Sequence, residues 1–328
     1  QYYVSDITFD KLIEGAINGM VEKLDEYSNY MTAKEYSDMK MELNNKFVGI
    51  GIVITTKEEK LTIVSPIKNT PGAKAGLQAG DIITHIEGQP TKDMTQAEAV
   101  KNMRGEKGTE VEITIKRNED SKDVRITRAE IDIPNVEHEI KTDNIGYISI
   151  IEFTENTGKE VQKALKKLKK KNAKGVILDL RNNPGGILTE AVNVASNFIE
   201  NGVIVTAKDK EEVESVYEAN NIDAVDLPLV VLVNGGSASA SEIVAGAVKD
   251  HKRGKLVGTR TFGKGTVQTI IPLKDGSAIK LTTAKYYTPN DNFIHHKGIE
   301  PNIKIKLDSN TDEDEQLDKA IEVLGKMI

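Results

Sequence analysis

The chain contains no cysteine and no tryptophan. Without thiols it has no disulfide scaffold, no Cys-ligated zinc or iron–sulfur centre and no thiol nucleophile. No apolar run approaches the ~18 residues of a membrane-spanning helix. Positive charge is not in excess either. Against 51 Asp and Glu stand 44 Lys and Arg, a net charge of −7, which argues against a general grip on nucleic acid or anionic lipid. The histidines, His85, His138, His251, His295 and His296, lack metal-ligand spacing, and no serine lies in a G-x-S-x-G elbow. Neither a metal site, nor a cofactor, nor a Ser-His-Asp triad is therefore expected.

What is present is a chain of 328 residues, 38% apolar and 29% charged, which at about 150 residues per domain reads as two globular domains. From Ser5 to about Met41, Phe9, Ile13, Ile17 and Met20 recur at helical spacing up to the polar break Asp25-Glu26-Tyr27-Ser28-Asn29. We assign residues 1–46 to a helical arm that covers a surface or joins a partner chain. Residues 47–132 alternate apolar and polar in short runs, with turns at Asn69-Thr70-Pro71-Gly72 and Glu87-Gly88-Gln89-Pro90 and one helix from Thr95 to Met103. This is a compact, mostly β domain. In residues 133–328 buried strands alternate with helices, Gly175 to Leu180 and Leu227 to Val233 being continuously apolar, as in an α/β fold with mostly parallel strands. Lys163, Lys166, Lys167 and Lys169 to Lys171 read as a solvated helix face. A last helix runs from about Asp314 to Met327, with acids from Asp312 at its start.

Three segments have the residue types of a nucleophilic site. Asn234 to Glu242 joins a buried strand to a helix, a junction that exposes a side chain and aims backbone N–H groups at one point. Ser239-x-x-Glu242 there is equally a helix capping box, and both readings stand on spacing alone. Gly258 to Gly265 nearly matches a phosphate loop, but Gly265 replaces the magnesium-binding hydroxyl and the following residues favour a strand. Lys264 in that loop has apolar neighbours in Phe262 and Val267. Desolvation lowers a lysine's pKa, and bringing it to about 7–8 takes roughly 3–5 kcal/mol of environmental bias. In an extended strand Gln268 falls on the same face as Lys264, placed to accept a hydrogen bond from the neutral amine. Asp179 to Gly186 ends the most apolar strand with paired glycines, whose N–H groups suit a developing oxyanion or a plain turn.

In order, the segments Asp25 to Met31, Gly49-Ile50-Gly51, Gly76 to Ile83, Asp179 to Gly186, Ser237 to Glu242, Thr261 to Gln268 and Leu281 to Pro289 resemble the carboxyl-terminal processing peptidases, or tail-specific proteases. The resemblance covers nearly the whole chain. It implies a crotonase-like α/β protease core carrying an inserted PDZ domain, and a serine endopeptidase acting through a Ser–Lys pair without metal or nucleotide. The family's serine stands 25 residues before its lysine, which selects Ser239 as nucleophile and leaves Ser237 and Ser241 as bystanders. Lys264 is then the general base, Gln268 its orienting partner, and the N–H groups of Gly185 and Ala240 the oxyanion hole. In the PDZ domain the carboxylate loop is Val48-Gly49-Ile50-Gly51, and Arg104 is a candidate link between ligand binding and activation. The resemblance further implies substrates with apolar C-terminal tails, an activating partner, a homodimer, and an extracytoplasmic location, in keeping with a start at Gln1 and a removed leader or anchor. A catalytically idle PDZ scaffold and, more remotely, an acyl-CoA enzyme on the crotonase-like fold are the alternatives. From Asn290 to His296 the sequence departs from its relatives, with Asp291, His295 and His296 in a region more often rich in Gly and Ser.

Overall fold

A computed structural model describes residues 3–43, 46–57, 60–67, 69–132, 135–220, 223–307 and 313–328. The chain forms two units, Gln1–Leu43 with Asn135–Ile328, and Asn44–Pro134.

The larger unit is built on a six-stranded sheet whose order is Val136–Ile140, Ile145–Ile150, Gly175–Asp179, Leu229–Val233, Lys255–Gly258 and Ile303–Lys304. Only the first pair is antiparallel. Gly175–Asp179 and Leu229–Val233 are buried at every position, as strands covered on both faces must be. Their side chains alternate between two cores. Val176, Leu178, Val231 and Val233 meet helices Thr157–Lys170, Leu188–Ser196 and Ala240–Asp250. Ile177, Val230 and Leu232 meet Ala320 and Leu324 of helix Glu315–Gly325. Asp314 caps that last helix by accepting from the Leu317 N–H at 3.0 Å, while Asp312 lies outside the described residues. On Thr157–Lys170 the apolar stripe Val161, Ala164, Leu165 and Leu168 is buried and the lysine face is exposed.

A second, antiparallel sheet runs Asn29–Met31, Ala278–Tyr287, Val203–Asp209, Glu214–Glu218, with Thr266–Pro272 also paired to Ala278–Tyr287. The N-terminal segment is thus not wholly helical. Helices Phe9–Val21 and Ala33–Leu43 flank a strand in which Asn29, Tyr30 and Met31 pair with Lys280, Ile279 and Ala278. The polar break that ends the first helix supplies the turn into that strand.

In the smaller unit the strand order is Ile52–Lys57, Lys60–Pro66, Ile82–Ile86, Glu110–Arg117, Asp120–Thr127, and Lys46–Gly49 pairs separately with Ala129–Asp132. Its core holds Ile54, Ile63, Ile83, Ala99, Val111 and Ile113. Helix Gln96–Met103 starts at a full capping box, the Glu98 N–H reaching Thr95 Oγ1 at 3.2 Å and the Thr95 N–H reaching Glu98 Oε2 at 2.8 Å.

Candidate active site

Ser239 links the end of strand Leu229–Val233 to helix Ala240–Asp250 with φ 53° and ψ −113°. That is a left-handed φ for a residue bearing a Cβ, a strained junction of the kind that lifts a side chain clear of its own backbone. The neighbouring serines are spent on structure. Ser237 Oγ donates to the Leu180 carbonyl at 2.7 Å and Ser241 Oγ to the Asn183 carbonyl at 3.0 Å, and both residues are fully buried. Ser239 is half-buried and forms a capping box with Glu242, in which its hydroxyl faces the Glu242 N–H too loosely for a full hydrogen bond. The box is closed firmly only from the glutamate side. Glu242 Oε2 accepts from the Ser239 N–H at 3.0 Å, but the Glu242 N–H goes to the Ser239 carbonyl at 2.8 Å.

Gly185 packs against this junction: a Cβ there would fall 2.7 Å from Ser239 Cβ and 3.0 Å from the Ala240 nitrogen. With φ at +110°, only glycine fits. The turn thus brings Gly185, Ser239 and Ala240 together. The Gly185 N–H itself donates to Asn183 Oδ1 at 2.9 Å, so a substrate oxyanion would have to displace that carboxamide. The rest of the motif anchors the fold. Arg181 donates to Asp179 at 2.6–3.0 Å and to Asp314 at 2.7 and 2.8 Å, and Tyr147 Oη donates to Asp179 at 2.8 Å.

Lys264 follows the loop from Gly258, and strand Thr266–Pro272 begins two residues later, as its composition predicts. Two buried side chains tie this loop to the serine junction. Glu242 accepts from Thr261 Oγ1 at 2.5 Å and from the N–H groups of Gly263 and Lys264 at 2.8 Å, in addition to Ser239. Tyr286 Oη lies 2.5 Å from the Lys264 carbonyl and 3.2 Å from that of Ser239. The two backbones are thus clamped by one carboxylate at their N–H groups and one phenol at their carbonyls. Burial pushes the Glu242 carboxyl up from its ordinary pKa, opposed by the hydrogen bonds from Thr261, Lys264, Gly263 and Ser239.

The Lys264 amine has no carboxylate within ion-pair distance among the described residues. Burial, with help from Lys280, lowers its pKa; Asp25 and Glu242 pull the other way. Nζ lies 4.7 Å from the centroid of the Tyr27 ring. Gln268 Nε2 donates to Thr266 Oγ1 at 3.0 Å and Thr282 Oγ1 at 3.2 Å. Thr282 Oγ1 in turn donates to Asp25 at 3.1 Å. Next to Lys264, Asp25, Glu26, Tyr27, Thr266, Thr282, His295 and His296 line a cavity of about 390 Å³. The two imidazoles lie against each other, tilted by 38° with centroids 3.8 Å apart, so the stretch that departs from the family forms a wall of this cavity. Sequence reasoning missed the clamp roles of Glu242 and Tyr286 and the site role of Tyr27. Each stands in a motif that carries the resemblance, with nothing in the local pattern to show what it touches.

In the smaller unit, Val48 to Gly51 lead into the edge strand Ile52–Lys57, and a Cβ on Gly49 would lie 3.8 Å from Arg104 Cγ. Gln96 Nε2 donates to the Ile54 carbonyl at 3.2 Å, holding the helix against the same strand.

Three family models match the chain: peptidase family S41 over residues 144–305, the PDZ domain over 48–127, and the N-terminal domain of the activating protease CtpB over 1–35. A carboxy-terminal-processing protease of Bartonella bacilliformis is 44% identical over 312 residues, 93% of this chain and 72% of that one. A probable CtpA-like serine protease of Staphylococcus epidermidis is 44% identical over 308 residues, 92% of this chain and 62% of the relative. Among solved structures, the photosystem II D1 C-terminal processing protease superposes with a TM-score of 0.60 at 30% identity, covering 98% of this chain and 88% of that one. With the serine junction and the PDZ unit in place, these matches make the chain a member of peptidase family S41, the carboxy-terminal-processing serine proteases.

Proposed function

We propose that the chain is an endopeptidase in which Ser239 attacks the scissile carbonyl and Lys264 takes and returns the proton, through an acyl-enzyme that water hydrolyses. The observation that carries this reading is the Glu242 clamp: one buried carboxylate binds the N–H of a serine whose hydroxyl makes no full hydrogen bond and the N–H of a half-buried lysine whose amine pairs with no carboxylate among the described residues. Ala240, first residue of the serine helix, supplies one oxyanion N–H. Gly185 and Gln268 complete the site once the Gly185 N–H leaves Asn183 and the Gln268 carboxamide turns to the amine. Because both groups are engaged inside the chain, activation by a bound peptide or partner protein fits the site.

The PDZ unit selects the substrate. The strand Ile52–Lys57 is a sheet edge facing helix Gln96–Met103, with Ile52, Met94 and Val100 only partly buried beside it. An apolar tail can add to that edge as a strand, its carboxylate received by Val48 to Gly51, with Arg104 next to that loop relaying occupancy. We further propose a homodimer and an extracytoplasmic location.

Cleavage of an unstructured protein with an apolar C-terminus tests the reading. Ser239→Ala and Lys264→Ala abolish turnover, and amidating the tail weakens it. Since the base must be neutral and its pKa is lowered by burial, the rate falls as pH drops through that pKa; a rate flat from about pH 6 to 9 contradicts a lysine base. A native chain that binds free tails but never cleaves points to a scaffold.

A further inference from the structure

The turn before strand Asn29–Met31 reaches the candidate base directly. Lys264 Nζ lies over the face of the Tyr27 ring, 4.7 Å from its centroid, and no carboxylate pairs with this amine among the described residues. The turn that carries the ring is itself firmly held. The Tyr27 N–H donates to Asp25 Oδ1 at 2.8 Å, as does the Ser28 N–H at 2.9 Å. Asp25 receives Thr282 Oγ1, and the Thr282 N–H donates to Ser28 Oγ at 3.0 Å. Strand Ala278–Tyr287 thus fixes the turn at its root, and the same Thr282 hydroxyl receives the Gln268 carboxamide. Tyr27 also meets His295, ring centroids 6.2 Å apart.

We propose that Tyr27 is a positioning residue for the reaction: its ring face fixes where the Lys264 amine rests and favours the ammonium over the neutral amine. The proposal rests on Lys264 being the general base. An aromatic face attracts a cation and is indifferent to a neutral amine, so the contact holds a proton on Lys264 until substrate displaces the side chain. The phenol does not act as an anion here. Burial and the neighbouring Glu26 raise its pKa to about 12, so the ring quadrupole is what the amine meets. The charged groups that bear on the amine are Lys280 from strand Ala278–Tyr287, Asp25 from the turn and Glu242 from the serine helix. Lys280 disfavours the ammonium and the two carboxylates favour it, as does the ring. Removing the ring while keeping apolar bulk therefore lowers the lysine's pKa.

The test measures Lys264 itself in the full chain, by the pH dependence of its modification by acetic anhydride read by mass spectrometry, beside the pH profile of cleavage. Tyr27→Leu moves both the labelling pKa and the acid limb of kcat to lower pH by about half to one unit, and kcat at the plateau falls about tenfold as the amine loses its seat. Tyr27→Phe keeps the ring and leaves the pKa in place. Tyr27→Met serves if the leucine variant does not fold. An unmoved labelling pKa in Tyr27→Leu, or an equal shift in Tyr27→Phe, overturns the role while leaving Lys264 as base. Full activity in Lys264→Ala overturns the base and this role with it.

Discussion

Three serines within five residues of one turn have different fates, and their hydrogen bonds separate them. Ser237 and Ser241 satisfy buried carbonyls, while the Ser239 hydroxyl, at a strained backbone position, makes no full hydrogen bond. The lysine tells a similar story. A half-buried amine with no carboxylate paired to it among the described residues costs stability in its charged form, as groups kept for chemistry often do. Replacing it with Met removes that cost, so Lys264→Met is expected to stabilise the fold by about 1 kcal/mol at neutral pH. The sign follows from the lowered pKa: the unfolded chain binds the proton more tightly, so the penalty is full below the folded pKa and fades as pH rises towards the unfolded value. Denaturant titrations at neutral pH and above pH 10 check this, and the advantage of the variant must shrink at the higher pH. Glu242 acts in the opposite sense. Glu242→Gln puts an amide among four donors, leaving one or more of them without an acceptor at about 1–3 kcal/mol. We expect kcat to fall about 10²-fold as the two backbones drift apart, with KM for a free-tail substrate little changed; unchanged kcat would show the clamp to be structural only.

At the scale of elements, the turn from Asp179 to Gly186 serves two neighbours. Its Gly185 packs on the serine junction, and its arginine bridges to the helix that closes the sheet's far face. Arg181→Ala leaves Asp179 and Asp314 without their shared cation and is expected to cost about 3 kcal/mol. Urea unfolding measures the loss, and limited proteolysis locates it: helix Glu315–Gly325 is cut early if the bridge holds it. The continuous apolar runs made the parallel strands legible, because a strand covered on both faces has no polar side to show. The helix stripes, the helix from Thr95 to Met103 and the strand after Lys264 were legible for the same kind of reason, since each is written in a local period. The strand Asn29–Met31 was not. Its partners lie some 250 residues away at Ala278 to Lys280, and three residues carry too little period to announce a strand. The clamp was hidden likewise: Glu242 looked like a cap residue because its spacing to Ser239 is that of a capping box, while its bonds to Thr261, Gly263 and Lys264 depend on how two distant turns meet. Arg181 gave no local sign that its partner would be Asp314.

At the scale of the whole molecule, helix Phe9–Val21 remains unexplained by the chain that bears it. Phe9, Leu12, Ile13 and Met20 are 74%, 52%, 44% and 64% exposed, and their spacing puts them near one face, so the amphipathic pattern that usually packs a helix inward points to solvent. Apolar surface of that kind on a folded chain marks an interaction site more often than an idle one. A second copy of the chain is the partner we propose, because the closed two-fold assembly is the commonest fate of such a face. Sedimentation of the full chain is then expected to give a dimer, and Phe9→Glu with Met20→Glu to give a monomer with unchanged far-ultraviolet circular dichroism. A native chain that sediments as a monomer at high concentration overturns the dimer. If the dimer persists in the double variant, the contact lies elsewhere and the helix is left for a different protein.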